Sequence, residues 1–421
     1  INIVDDGFAV EKTLNFQLDK RYFPKKVGAT YILPKFYVEG NHAVLHVRKS
    51  GQKRGEYITL VVNLENYKMT SFENDDNDQK FSGLKVMSPS YTHAFSRETF
   101  AIVGDKIVLN KYEGSKSKLF VSSLISSSSA QKPLTLSFDS KNVFNSIYAM
   151  PETNQFMVVS LADGDVIFNC IDKNGRSVYK KTLEASSIDC NLSLSSLEFE
   201  VHGNSIVGAT LCQTESFRNS GILMMRVDET GISTKEYSFS EDLKISSDEY
   251  AGSKKDEYFG AVDFTLGVTD NKVALSCQFA PRQYGSLDPS FNPTLTETSA
   301  SIVRFTSNGM YVFDTDFNLE DQLVTEIKHN SMNRSLQRLE PLFLASNDKL
   351  SFLYCTGSSV EGYLYDGGLD YFSLYEGFNW YLSGSAIDNI VIVAAKNPKA
   401  TTGDFYSGKI SWMYKKLELK L

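Results

Sequence analysis

The sequence predicts an all-β fold assembled from copies of one four-stranded antiparallel unit, and three observations predict it. Seven times a polar turn of Asn, Asp, Gly or Gln runs into a short apolar strand. These copies are Gly40–Leu45, Gly104–Leu109, Asn154–Val159, Gly203–Val207, Asp270–Leu275, Asn347–Phe352 and Asp388–Val393. After each comes a loop, a second apolar strand, a tight turn and a third strand, and self-similarity on this scale marks a repeat architecture. Aromatic residues make up 12% of the chain, nearly all Phe and Tyr, which suits pleated, half-buried surfaces.

Taken in order, the hairpins that follow the opening strands are Tyr57–Phe72, Leu119–Phe138, Val166–Leu183, Ile222–Phe239, Ser301–Phe317 and Gly362–Leu374. The third turns at Asp172-Lys173-Asn174-Gly175 and the fourth at Asp228-Glu229-Thr230-Gly231. The fifth is expected to turn at Ser307-Asn308-Gly309, because Asn-Gly between apolar runs supplies the positive φ of a tight hairpin. Six intervals from Asn41 to Asn389 average about 58 residues, longer than a WD or kelch repeat, with the excess in loops. The units are expected at 31–73, 96–138, 146–184, 196–240, 259–318, 338–376 and 378–421.

Four-stranded units repeated radially make a propeller, which leaves only short, protected sheet edges. The chain therefore resembles the seven-bladed β-propeller superfold, with one closed ring spanning residues 1–421. The seventh unit ends at Lys409–Leu421 without a clear outermost strand. Thr13–Leu18 precedes the first unit and reads like the outermost strands Leu134–Phe138 and Lys235–Phe239. Residues 11–19 are thus expected to complete the last blade and clasp the ring. Family motifs are missing: no blade ends in Trp-Asp, no Gly-Gly doublets recur and no sialidase-type Asp box appears. The resemblance implies a shape and leaves function open.

A formal charge of −8 argues against general nucleic-acid binding, which needs a basic footprint. No apolar run approaches the roughly 18 residues of a membrane helix. The first residue is Ile, as expected after removal of a secretory signal or from a domain boundary. The cysteines are Cys170, Cys190, Cys212, Cys277 and Cys355. They are expected to be mostly small buried hydrophobes, with one bridge between neighbouring repeats as the alternative. None has the paired spacing of a zinc site.

Candidate binding residues come from loops between the second and third strands of each unit. The first unit offers Arg48, Lys49, Lys53 and Arg54, the second Lys111, Lys116 and Lys118, and the seventh Lys396 and Lys399. In a closed ring these units are adjacent, and their bases would form a sector for an anionic partner. The fifth unit carries a long insertion, Phe279–Ser299, with Pro281, Pro289, Pro293, Tyr284 and Phe291. Proline stiffening and aromatic anchors make Tyr284 and Phe291 candidate contacts. Asn318–Gln337 has early acids and later bases that suit a short helix.

Glu73–Asp78 invites a calcium reading, but Lys80 stands where a third ligand would fall and no late Glu follows, so a solvated turn is expected. His42 and His46 fall on a strand, where four residues span roughly 13 Å, too far to share one ion. No nucleophile elbow, phosphate loop or dinucleotide fingerprint occurs. Asn191-Leu192-Ser193 and Asn333-Arg334-Ser335 match the glycosylation pattern.

Together these features predict a non-catalytic protein-interaction module with no cofactor and no metal. It would be secreted, periplasmic or at the cell surface, as an accessory or scaffold subunit of a larger assembly. The alternatives are a carbohydrate-binding propeller, with Trp380, Tyr381 and Tyr284 stacking on sugars, and a glycosidase or lyase with an axial carboxylate pair.

Overall fold

The computed structural model describes residues 2–4, 10–14, 35–39, 41–48, 56–75, 100–113, 116–124, 132–134, 144–162, 164–192, 197–213, 219–245, 261–280, 307–326, 342–346, 349–355, 359–376, 383–387, 390–396 and 412–418. Within them the protein is all-β. A short hairpin, β1 (Asn2–Val4) with β2 (Val10–Thr13), comes first. The first sheet is β3 (Lys35–Glu39), β4 (His42–Arg48), β5 (Glu56–Asn63) and β6 (Met69–Asp75). The second is β7 (Phe100–Val103), β8 (Lys106–Glu113), β9 (Lys116–Ser123) and β10 (Lys132–Leu134). The third is β11 (Phe144–Met150), β12 (Gln155–Ala162), β13 (Asp165–Asp172) and β14 (Ser177–Leu183).

The fourth sheet adds a two-residue strand, β15 (Asn191–Leu192), to β16 (Glu198–His202), β17 (Ser205–Gln213), β18 (Asn219–Val227) and β19 (Ile232–Ser238). The fifth is β20 (Ala261–Val268), β21 (Lys272–Ala280), β22 (Ser307–Asp314) and β23 (Leu319–Glu326). The sixth is β24 (Leu342–Ser346), β25 (Lys349–Cys355), β26 (Ser359–Tyr365) and β27 (Leu369–Glu376). The seventh comprises β28 (Ser383–Ile387), β29 (Ile390–Lys396) and β30 (Trp412–Glu418) among the described residues. Every pairing is antiparallel and nearly all join strands consecutive in sequence, the four-stranded unit expected. Each of the seven opening turn-and-strand copies delivers the second strand of a sheet.

The chain divides into two compact units, one of residues 1–85, 93–187 and 229–231 and the other of 86–92, 188–228 and 232–421. In the first unit, Val44 and Val61 meet Phe100, Ile102 and Ile107 between sheets one and two. Val108, Leu119 and Val121 meet Ile147, Phe156 and Val158 between sheets two and three. In the second unit, Val207, Ile222, Met224 and Tyr237 pack on Phe264, Val273, Leu275, Tyr311 and Phe313 between sheets four and five. Ala274, Met310 and Val312 pack on Leu350, Phe352 and Tyr354 between sheets five and six. Central strands are buried on both faces, and β17 is buried at all its positions, so they read as continuous apolar runs.

The turn between third and fourth strands has a recurring build. The Asp172 carboxylate accepts from the backbone N–H groups of Asn174 and Arg176, and Gly175 follows at φ 80°. Asp314 does the same for Asp316 and Asn318, with Phe317 at φ 63°. This overturns two expectations. Ser307-Asn308-Gly309 is the start of β22 and not a turn, and the true turn holds Phe where a Gly would announce it. Residues 319–326 form β23 and not a helix; 327–337 lie outside the described residues.

One kind of contact between neighbouring sheets recurs: an outermost strand touches the third-to-fourth turn of the next sheet. Thr70 of β6 donates to the Leu124 carbonyl at 3.2 Å. Lys235 of β19 donates to the Asn318 side chain at 2.9 Å, and the Tyr237 hydroxyl to the Phe317 carbonyl. Asp321 of β23 accepts from the Leu369 N–H at 2.9 Å. Lys12 of β2 lies over the Tyr67 ring, 3.4 Å from its centroid, in the turn of the first sheet. Residues 11–13 of the expected clasp pair with β1; 15–19 lie outside the described residues.

Candidate functional site

Antiparallel meanders have two ends, and in this chain they differ. At one end sit the first-to-second and third-to-fourth connections, such as 104–105, 151–154, 203–204, 173–176, 315–318 and 366–368. At the other end sit the second-to-third connections and the chain between sheets. These include short links at 114–115, 163–164, 214–218 and 356–358 and longer ones at 49–55, 76–99, 239–260, 281–306, 327–341 and 397–411. Long connections are where binding residues concentrate, because a rigid scaffold carries them and little packing restrains their sequence.

Two of the expected binding residues are described at this second end. Arg48 is the last residue of β4, opposite Tyr57, and Lys396 is the last residue of β29, opposite Trp412. Lys49, Lys53, Arg54, Lys399, Tyr284 and Phe291 lie outside the described residues, as do Trp380 and Tyr381. Lys111, Lys116 and Lys118 require a correction. They belong to strands β8 and β9, joined through residues 114–115 alone, with Lys111 opposite Lys118 and Glu113 opposite Lys116. The second sheet presents a basic strand pair and not a basic loop. Of the calcium candidate, Glu73, Asn74 and Asp75 are in β6, paired with Ile58, Tyr57 and Glu56. They form a strand where a turn was expected; 76–78 lie outside the described residues.

The base of the 281–306 connection is built in a way the sequence did not announce. Gln278 and Phe279 of β21 pair with Asn308 and Ser307 of β22, so the connection leaves from a closed ladder. The Ser276 hydroxyl is 3.0 Å from the Asn308 side-chain oxygen and 3.0 Å from the Tyr354 hydroxyl of the next sheet. Asn308 Nδ2 donates to that hydroxyl at 2.7 Å. All three residues are buried. Burial drives the Tyr354 ionisation upward, against the hydrogen bonds from Ser276 and Asn308. The hydroxyl therefore stays neutral, a fixed joint between sheets five and six. A buried network of this kind specifies one arrangement when its members are satisfied.

Cys190 and Cys212 form a disulfide with Cα atoms 5.4 Å apart. It ties the segment entering β15 to β17 inside the second unit. Cys170 and Cys277 are buried thiols outside any disulfide, and Cys355 ends β25. Burial pushes the Cys170 thiol up to about 11, which holds it inert. Potential metal-ligand atoms of Cys190, Cys212 and Glu236 lie within 4.8 Å of one another, but bonded sulfurs are not thiolate ligands. His42 and His46 both lie on β4, opposite Asn63 and Thr59. Burial lowers the His42 pKa, and Glu65 partly opposes this, so the imidazole is biased to its neutral form. No helix among the described residues is long and apolar enough to cross a membrane.

No protein-family model matches the chain, and no curated protein matches it in sequence. Among solved structures, the β-propeller domain of the Trilobed protease from Pyrococcus furiosus is similar at a TM-score of 0.44 and 13% identity, over 93% of this chain and 97% of that one. Acylaminoacyl peptidase from Pyrococcus horikoshii is similar at 0.43 and 12% identity; 92% of this chain aligns, spanning about half (53%) of the enzyme's length. Polysaccharide lyase Uly1 is similar at 0.49 and 9% identity, over 96% of this chain and 94% of that one.

Proposed function

We propose that the chain is one closed seven-bladed β-propeller acting as a non-catalytic protein-interaction module, an accessory or scaffold subunit of a cell-envelope, surface or secretion assembly. The observation that carries the reading is the asymmetry of the sheets: the longest connections, such as 76–99, 281–306 and 397–411, all leave from one end. A fold stabilised at one end and elaborated at the other suits a rigid carrier of a binding face. The anionic sector of partners is drawn by Arg48, Lys49, Lys53, Arg54 and Lys396, and the aromatic contacts by Tyr284 and Phe291.

Closure by the N-terminal strand is supported by the recurring contact between sheets. Thr70, Lys235 and Asp321 each reach from an outermost strand to the next sheet's turn, and Lys12 reaches the first sheet's turn in the same manner. The reading assigns β2, which pairs with β1, to the outer edge of the seventh blade. The disulfide supports an oxidising compartment, where such bonds persist.

The test is affinity capture from the native envelope or culture fluid with the full chain, beside the Lys53→Glu/Arg54→Glu variant. A stoichiometric protein lost with the charge reversal supports the reading. Glycan-array binding without turnover would replace it with a lectin, and product release from a polysaccharide would replace it with an enzyme. Deleting the chain before Tyr31 tests closure: cooperative unfolding should be lost, and a normal melt would refute the clasp.

A further inference from the structure

The fourth sheet brings two sulfurs and a carboxylate to one point. Cys212 of β17 lies opposite Gly221 of β18, and Gly221 lies opposite Ser238 of β19. Opposed residues of an antiparallel ladder project from the same face, and alternate residues of a strand share it. Cys212 and Glu236, two residues before Ser238, therefore rise from one face. The disulfide brings the Cys190 sulfur to the same place. No side chain stands between them on the middle strand, because a Cβ at Gly221 would collide with the Tyr237 carbonyl. One ligand atom each of Cys190, Cys212 and Glu236 lies within 4.8 Å of the other two. Cys212 is buried, Cys190 half-buried and Glu236 exposed, so the group is anchored in the sheet and open to solvent on one side.

In the oxidised chain the sulfurs are bonded to each other, and reduction changes what they offer. A dithiol reductant attacks the more accessible Cys190 sulfur, passes through a mixed disulfide and leaves as its own disulfide. Cys190 and Cys212 are then two thiols on Cα atoms that the disulfide held 5.4 Å apart. A divalent cation displaces both thiol protons to solvent and takes two thiolates and one carboxylate. Those are three of the four donors of a tetrahedral zinc ion, and water supplies the fourth. Metal–sulfur bonds of about 2.3 Å set the two sulfurs about 3.8 Å apart, inside the 4.8 Å that encloses the three ligand atoms.

We propose that Cys190, Cys212 and Glu236 form a redox-gated site for a zinc-type divalent cation, closed while the disulfide stands and filled once it is reduced. Disulfide and metal are alternatives for one pair of sulfurs, and either one ties the segment entering β15 to β17. Thiolate donors select zinc over magnesium and calcium, which take oxygen ligands.

The experiment uses the full chain, reduced by dithiothreitol under native conditions, desalted without air and titrated with Zn²⁺ alone and then with Cd²⁺ alone. The reduced chain should bind one ion, release protons, melt at a higher temperature and show the ultraviolet sulfur-to-cadmium charge-transfer band. The oxidised chain should do none of these. Glu236→Gln keeps both sulfurs and changes only an exposed side chain. It should leave the oxidised melting temperature unchanged and weaken zinc binding about tenfold or more, the scale seen even for partners outside the ligand shell. The double variant Cys190→Ser/Cys212→Ser keeps Cys170, Cys277 and Cys355 and should lose the band. The proposal is overturned if native reduction fails to free two thiols, or if the reduced chain binds no zinc. Equal binding by the oxidised chain, by Glu236→Gln or by the double variant also overturns it. None of these outcomes depends on the Lys53→Glu/Arg54→Glu capture, so either reading can fail alone.

Discussion

The two ends of each sheet are made by the same strands and obey different constraints. At the short-turn end, backbone groups are consumed locally. Asp172 and Asp314 each take two N–H groups, and Asn63 takes those of Glu65 and Asn66. At the long-connection end, a buried joint of Ser276, Asn308 and Tyr354 braces the base of the 281–306 connection. Stability should therefore depend on the short end and the joints, while the sequence beyond the joints is free to answer to a partner.

The largest expected effect is at Phe317, which sits in a short turn and is fully buried. Phe317→Ala should cost about 3–5 kcal/mol by cavity formation. Phe317→Gly opens the same cavity while relieving the positive φ, so it should be the less damaging by about 1 kcal/mol. Chemical denaturation of the pair checks this, and equal losses would mean the φ carries no cost. Next, replacing Cys190 and Cys212 by Ser removes a cross-link with a sequence separation of 22. Loop-closure entropy puts the loss at about 3 kcal/mol, readable as a lower melting temperature that reductant no longer shifts.

Asn308→Ala removes two hydrogen bonds from the buried joint while leaving the Ser276–Tyr354 contact in place, and should cost about 1–3 kcal/mol. Replacing 281–306 with a short Gly-Ser linker should change stability by no more than about 1 kcal/mol while abolishing partner capture. A large destabilisation from that replacement would break the contrast between the ends. The smallest effect is at His42. Its folded pKa lies below the ordinary 6.5, so the folded chain binds fewer protons near that pH than the unfolded one. Its contribution is fully present above about pH 6.5 and fades as pH falls through that value toward the folded pKa. The melting-temperature profile should flatten in His42→Gln across that window.

This contrast also governs what could be read in the sequence. The seven opening turns were legible because apolar strands follow them directly, and at Pro151–Asn154 and Thr269–Lys272 local hydrogen bonds fix the turn. Asn308-Gly309 misleads because its amide is consumed by Ser276 and Tyr354, residues distant in sequence, so tertiary context overrides turn propensity. The true turn hides because Phe317 takes the left-handed conformation in order to fill the core between sheets four and five. The charges of 318–337 suggest a helix dipole, yet their acids serve neighbouring strands. Glu320 meets Lys272 at 2.7 Å and Tyr365 at 2.9 Å, and Asp321 caps Leu369. Lys116 and Lys118 read as a loop because polar strand ends lack alternation. Of the candidate site, position within the unit was legible; the joint beneath the long connection was not, since it is assembled from three separate strands.

The turn at Asp172 has a consequence for chemical ageing. Asn-Gly sequences deamidate when the glycine nitrogen attacks the asparagine side chain through a five-membered imide. In Asn174-Gly175 that nitrogen donates its hydrogen to the Asp172 carbonyl at 2.9 Å, and Gly175 is held at φ 80°. The attack geometry requires this turn to open. Peptide mapping after prolonged storage should find Asn174 intact in the folded chain and converted to aspartate and isoaspartate once it is unfolded, making the site a chemical clock for time spent unfolded.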